Sequence, residues 1–232
     1  METMPLTTFL PWLRENWQQG EHMVIVGETG RGKTRLSSQI LECRDYVVVI
    51  ALKRADDTLK SFYDDLLPTI KHRYIVIKKW PPLFSQNHVI LWLKPQSLHD
   101  IGEQKAYLKQ CLNMIYLSGG WTAYFDDAGY ASGVLKAAEE MGIMLNQGRS
   151  GGLTIVVAMT QPKSVAARVP SETLRQPRHK ILFLTTNQVE LKACADITGI
   201  AARELQYLMR QLKDFDFLYV GKKGTLFHVT QN

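Results

Sequence analysis

The chain has 232 residues, 45% of them hydrophobic, enough to bury one sizeable core in a single domain. No apolar stretch approaches the ~20 residues of a membrane span, and METMPLTTFLPWLREN lacks the basic leader and apolar block of a signal peptide, which predicts a cytoplasmic protein. A net charge of +6 favours a polyanionic partner, and Cys43, Cys111 and Cys194 fit reduced thiols without metal-ligand spacing.

In chain order, Leu6, Leu10, Leu13 and Trp17 recur at helical spacing and predict a helix over residues 6–19. Residues 22–26 read as a buried strand, 34–43 as a helix, and YVVVIAL (46–52) as a second unbroken apolar strand. Shorter candidates lie at 74–77 and 89–93. Ile101, Leu108, Cys111, Leu112 and Ile115 mark a helix, and 122–125 a short strand. Val134, Ala138, Met141 and Leu145 predict another helix that stops near Gly148. LTIVVAM (153–159) is a strong strand, followed by one at 181–184 and helices from 189 and over 201–212. Residues 215–220 and 225–229, joined through GKKG, predict a C-terminal β-hairpin. Apolar strands alternating with helices predict an α/β fold with a mostly parallel sheet covered on both faces. The expected organisation is one domain, 1–232, with its core at 20–200 and a helix and hairpin in 201–232.

Between the first apolar strand and its helix stand Gly27, Glu28, Thr29, Gly30, Arg31, Gly32, Lys33 and Thr34, matching G-x-x-x-x-G-K-[ST]. Glycines let the backbone turn so that successive N–H groups point into one concavity, and the following helix adds its positive end. The expected ligand is ATP, with Arg35 completing the loop. Lys33 reaches the β- and γ-phosphates and the Thr34 hydroxyl takes Mg²⁺. The competing reading is an ordinary glycine-rich turn.

Such a loop needs an acid at the end of another strand, and TAYFDDAG supplies Asp126 and Asp127. Asp126 is expected to hold Mg²⁺ through water, and Asp127 to orient or deprotonate the attacking water. An aspartate pair also caps helices, which is the alternative. LTIVVAM ends in Thr160-Gln161-Pro162, and a polar residue at the carboxyl edge of a parallel strand faces the ligand crevice. Gln161 is expected to sense the γ-phosphate, unless it is only a loop glutamine before a proline. The tryptophans read as packing residues, with Trp12 and Trp17 placed to flank a base. The six histidines, without paired ligand spacing, read as structural.

The order P-loop, VVVIALKRADD, YFDDAG, NQGRSGGLTIVVAMTQPKSV and ADITG resembles the FtsK–HerA superfamily of P-loop motors over residues 20–200. Within it, the chain looks most like genome-packaging ATPases of membrane-containing tailless icosahedral viruses. The resemblance implies a three-layer P-loop NTPase of the RecA-like ASCE type. It also implies a homo-oligomeric ring such as a hexamer, duplex DNA as a sequence-independent partner, capsid or portal proteins as docking partners, and a place in the host cytoplasm or virion. Asp127 departs from the family's usual glutamate by one methylene. Arg149 matches the arginine that relatives present across a subunit boundary; otherwise it is a surface arginine after a helix C-terminus. Basic residues at 53–60, 71–80, 168–180 and 221–224, among them Arg168, Arg175, Arg178 and Lys180, predict a phosphate-gripping surface rather than base readers. The alternatives are a plasmid-transfer or filamentous-phage assembly ATPase acting on single-stranded DNA or protein, and a nucleotide switch with little turnover.

Overall fold

Ten strands form one sheet in the computed structural model, which describes residues 1–55, 57–63, 74–82, 86–95, 97–169 and 171–231. The elements run β1 (Glu2–Pro5), α1 (Leu6–Asn16), β2 (Met23–Val26), α2 (Lys33–Leu41), β3 (Val47–Ala51), β4 (Ile75–Ile77), β5 (His88–Trp92) and α3 (Ile101–Ser118). Next come β6 (Thr122–Phe125), α4 (Ala128–Gly133), α5 (Ala138–Gln147), β7 (Thr154–Met159), α6 (Pro162–Ala166), α7 (Ser171–Arg175) and β8 (His179–Phe183). The chain then forms α8 (Gln188–Thr198), α9 (Ala202–Met209), β9 (Phe217–Val220) and β10 (Leu226–Thr230).

Sheet order is β1-β10-β9-β8-β2-β7-β6-β3-β5-β4, with β9 antiparallel to both β8 and β10. Alternate residues of the central strands feed two separate cores. Val24 and Val26 pack with Leu108, Met141, Leu191 and Leu205; Met23 and Ile25 pack with Phe9, Leu13, Leu36 and Ile40. Strand β3 divides likewise, Val48 and Ile50 on one face, Val47 and Val49 on the other. A strand buried on both faces needs no polar alternation, which is why MVIV and VVVIA are unbroken apolar runs. Each such aliphatic side chain contributes roughly 1.5–3 kcal/mol on burial. Helices on both faces make the three-layer α/β architecture expected from the sequence. Among the described residues no helix is long and apolar enough to cross a membrane.

Several elements differ from the sequence expectation. The N-terminal helix ends at Asn16 rather than 19, because Trp17 turns extended and its indole N–H donates to the Glu21 carbonyl at 2.7 Å. Ahead of it, β1 pairs in parallel with β10, so the two chain ends share one sheet edge. The helix expected from Val134 starts at Ala138, since Lys136 sits at φ 53 and breaks it from α4. The hairpin strand expected from Phe215 starts at Phe217, because residues 213–216 form a turn. Part of the expected basic segment, Lys71, His72 and Arg73, lies outside the described residues.

At the amino edge of the sheet, the buried Glu21 carboxylate joins distant segments. It accepts from Arg178 (3.0 Å), His179 Nε2 (3.1 Å), the Gln18 amide (3.0 Å) and Lys222. Burial alone raises its pKa, but the bonds from Lys222, Gln18 and His179 outweigh that and bring it to about 2. Burial pulls His22 and His179 down to about 4, Arg149 adding to the effect at His22 and Glu21 opposing it at His179. Neutral His179 donates to Glu21 and accepts from the Tyr219 hydroxyl at 2.6 Å. Both histidines bind protons more readily unfolded than folded. Stability therefore falls as pH drops from about 6.5 towards 4, and Glu21 adds a further loss from about 4.5 towards 2. Urea unfolding near pH 5 is expected to show on the order of 2 kcal/mol less stability per buried histidine than near pH 7.5. A midpoint constant across that range contradicts neutral burial.

Candidate nucleotide and metal site

Strand order builds the site. Strand β7 lies between β2 and β6, all three parallel, so the loops after β2 and β6 open on the same carboxyl edge with one strand between them. The loop after β2 begins at Gly27, whose amide donates to the Met159 carbonyl at 3.1 Å. A Cβ at Gly27 would stand 2.7 Å from Phe183 Cβ, so the strand and loop approach requires glycine. The loop closes at Gly32, the N-cap of α2, held at φ 86 where glycine alone is unstrained.

Thr29, Gly30, Gly32, Lys33, Thr34 and Arg35 line a cleft of about 510 Å³. The same cleft takes Asp126, Asp127, Lys53 and Thr160 from the neighbouring strand ends. Lys33 curls over its own loop, its ammonium donating to the carbonyls of Gly27 (2.7 Å) and Glu28 (3.0 Å). Burial lowers its pKa, with Asp126 and Asp127 pulling the other way. Glu28 accepts from the Thr185 hydroxyl at 3.1 Å, and Arg31 pairs with Asp214 at 2.6 Å.

Asp126 Oδ1 accepts two hydroxyls at 2.8 Å, from Thr34 and from Tyr124. Burial, with Asp126 beside it, drives the Tyr124 phenol well above its ordinary pKa, so it remains a donor. Asp127 has two engagements. Its Oδ1 accepts the Tyr130 amide at 2.9 Å and caps α4, while its Oδ2 lies 3.4 Å from Lys53 Nζ. The capping alternative weighed from sequence is thus present, together with a cation facing the other oxygen.

The donors suit Mg²⁺. Thr34 and Asp126 offer hard oxygens in mutual contact, and Mg²⁺ is held by one or two carboxylates plus substrate phosphates and water rather than an all-protein cage. Thr34 would take the ion directly and Asp126 would hold its shell.

Other expected residues lie elsewhere. Gln161 is exposed at the N-cap of α6 with no side-chain capping bond, and Thr160 lines the cleft instead. Arg149 is exposed at the opposite, amino edge beside Gly20 and His22. Trp17 is 2% exposed under the Arg44 guanidinium, and Trp12 packs on Phe9, Tyr219 and Phe227, so both are packing residues. The basic run 168–180 does not form one gripping surface. Lys180 is buried against the Pro177 carbonyl, Arg178 binds Glu21, and Arg175 binds the Asp196 carbonyl. From sequence, Lys53 stands only in the basic run 53–60 expected to grip phosphates, and Tyr124 carries no assigned role. Tyr124 was legible as a residue two positions before Asp126 on a strand, hence on the same face.

No protein-family model matches the sequence, and no curated protein matches it. Solved structures do. The DNA-packaging ATPase B204 from Sulfolobus turreted icosahedral virus aligns with a TM-score of 0.57 at 16% identity, over 90% of this chain and 96% of its own. VirB4 of Thermoanaerobacter pseudethanolicus aligns at 0.64 and 9% identity, over 90% of this chain and 88% of its own. The pCW3 conjugation coupling protein TcpA aligns at 0.50 and 12% identity, over 94% of this chain and 60% of its own. The likeness establishes that the chain has the fold of these P-loop ATPases, in keeping with the FtsK–HerA resemblance of its motifs.

Removing the Tyr124 hydroxyl deprives Asp126 Oδ1 of a hydroxyl donor at 2.8 Å. Tyr124→Phe is expected to weaken Mg²⁺ affinity about fivefold, equivalent to roughly 1 kcal/mol, in a calorimetric Mg²⁺ titration with a non-hydrolysable triphosphate. An unchanged affinity removes Tyr124 from the site.

Proposed function

We propose that the chain is an ATPase that moves double-stranded DNA, most specifically into a viral capsid, as a homo-oligomeric ring. The observation that carries this reading is the convergence of Lys33, Thr34, Asp126 and Asp127 in one cleft on the carboxyl edge of a P-loop ATPase fold. B204 of Sulfolobus turreted icosahedral virus, a packaging ATPase of nearly the same length, supports the packaging role. Its counterpart from a second such virus is known with AMP, AMPPCP and ATP-γ-S, which supports ATP as the ligand.

In this reading the Lys33 ammonium leaves the Gly27 and Glu28 carbonyls for the β- and γ-phosphates. Thr34 and Asp126 would hold Mg²⁺, which when bound would supply positive charge to offset that of the triphosphate. Asp127 Oδ2 turns from Lys53 to the water that attacks the γ-phosphorus, takes its proton, and ADP departs. The Tyr130 amide keeps the carboxylate aimed while this happens. Lying at the far edge, Arg149 serves a neighbour's site rather than its own, where it stabilises charge on the transferring phosphoryl group. Lys136 and Arg168, which line another cleft of about 590 Å³, are the basic pair best placed to meet a phosphate backbone.

The likeness to TcpA favours a second reading, a transfer ATPase acting on single-stranded DNA. Steady-state ATP hydrolysis with duplex and with single-stranded DNA separates the two: stimulation by duplex is expected for packaging. Asp127→Ala is expected to lose at least a hundredfold in turnover. Wild-type turnover that Asp127→Ala leaves unaffected removes Asp127 as the base, and negligible wild-type turnover makes the chain a nucleotide-binding switch. Arg149→Ala and Lys33→Ala proteins, each inactive alone, are expected to regain activity when mixed, because mixed rings contain sites with an intact loop and an intact neighbouring arginine. No recovery argues against the role in trans.

A further inference from the structure

Phe215 belongs to neither hydrophobic core and is 51% exposed, yet it does not hang free. Its ring edge comes 3.4 Å from where a Cβ would stand on Gly32, the last glycine of the P-loop. The sheet order fixes which side it stands on. Lys53, Asp126 and Asp127 follow strands on the β7 flank of β2, whereas Phe215 precedes β9, on the β8 flank. The triphosphate cleft and the aromatic ring therefore lie on opposite sides of the same loop.

The ring is held there at a cost. Phe215 sits at φ 68, in the left-handed region that a residue with a Cβ adopts only under strain. The turn that imposes it is tied at both ends. Buried Asp216 accepts the Lys213 amide (3.3 Å) and the Gln231 amide (3.3 Å) and pairs with His228 (2.9 Å). One residue before Phe215, Asp214 reaches the P-loop itself, its carboxylate 2.6 Å from the Arg31 guanidinium. The chain thus spends strain and a cross-link to present an apolar face to solvent beside a phosphate-binding loop.

We propose that Phe215 is the platform on which the base of a purine nucleoside triphosphate stacks, with the Asp214–Arg31 pair fixing the platform to the P-loop. This rests on the reading of residues 27–34 as a triphosphate site. A phenyl ring offers a π-face and no hydrogen-bonding pattern, so it contributes affinity through base area rather than through recognition of one base edge. It takes the role that the sequence assigned to Trp12 and Trp17.

Calorimetric titration of wild type, Phe215→Ala and Phe215→Tyr with ATP and with inorganic tripolyphosphate, both with Mg²⁺, tests it. Phe215→Ala is expected to weaken ATP roughly tenfold and leave tripolyphosphate unchanged, and Phe215→Tyr to bind both like wild type. Phe215→Trp supplies an independent readout: its fluorescence is expected to be quenched by ATP and not by tripolyphosphate. Equal weakening of both ligands by Phe215→Ala would show that the ring only shapes the loop, and no weakening of either would remove it from the site; each overturns the platform while leaving the triphosphate site standing. A wild type that binds neither ligand overturns both.

Discussion

The hydrogen bond between the Thr34 hydroxyl and Asp126 joins residues 92 positions apart and exists only because β7 threads between β2 and β6. Every proposed chemical role depends on that juxtaposition. Thr34 comes from the start of a helix and Asp126 from the end of a strand, and neither element can shift without the other. Three strands buried on both faces hold the arrangement: Val24 and Val26 lock one core, Met23 and Ile25 the other. Moving β2 by one residue would exchange all four between the two cores and rotate the loop away from the acid strand.

The cleft also neutralises itself. Lys33 donates to the Gly27 and Glu28 carbonyls, and Lys53 faces Asp127. Burial already disfavours the Lys33 ammonium, so a ligand carrying several negative charges exchanges weak internal pairings for stronger ones. In the proposed cycle, substrate arrival frees Asp127 from Lys53, tying the base to the presence of its target. The single methylene that Asp127 lacks relative to a glutamate is consistent with a carboxylate that both caps α4 and faces a lysine.

The central fold was readable because its signals are local. Double-sided burial writes unbroken apolar strands, and the G-x-x-x-x-G-K-[ST] spacing from Gly27 to Thr34 marks the loop between the first core strand and its helix. Asp126 was readable for the same reason. What escaped depends on distant partners. ETMP carries no strand pattern, and β1 forms only because β10 offers an edge. The helices from α4 to α7 include three of five or six residues, too short to show a period. Arg178 and Lys180 read as part of a phosphate-gripping surface, whereas Arg178 pairs with buried Glu21 and Lys180 donates to the Pro177 carbonyl. Phe215 was taken for the first residue of a strand, since nothing local announces its left-handed backbone.

The parallel pairing of residues 2–5 with 227–230 has a mechanical side. Tension applied between residue 2 and residue 230 draws the two strands past each other along their length, so the rungs of that ladder share the load instead of parting one by one. A chain pulled at these two residues resists as a clasp rather than a zip. Such an edge keeps that load away from β2, four strands along the sheet, whose loop opens on the cleft.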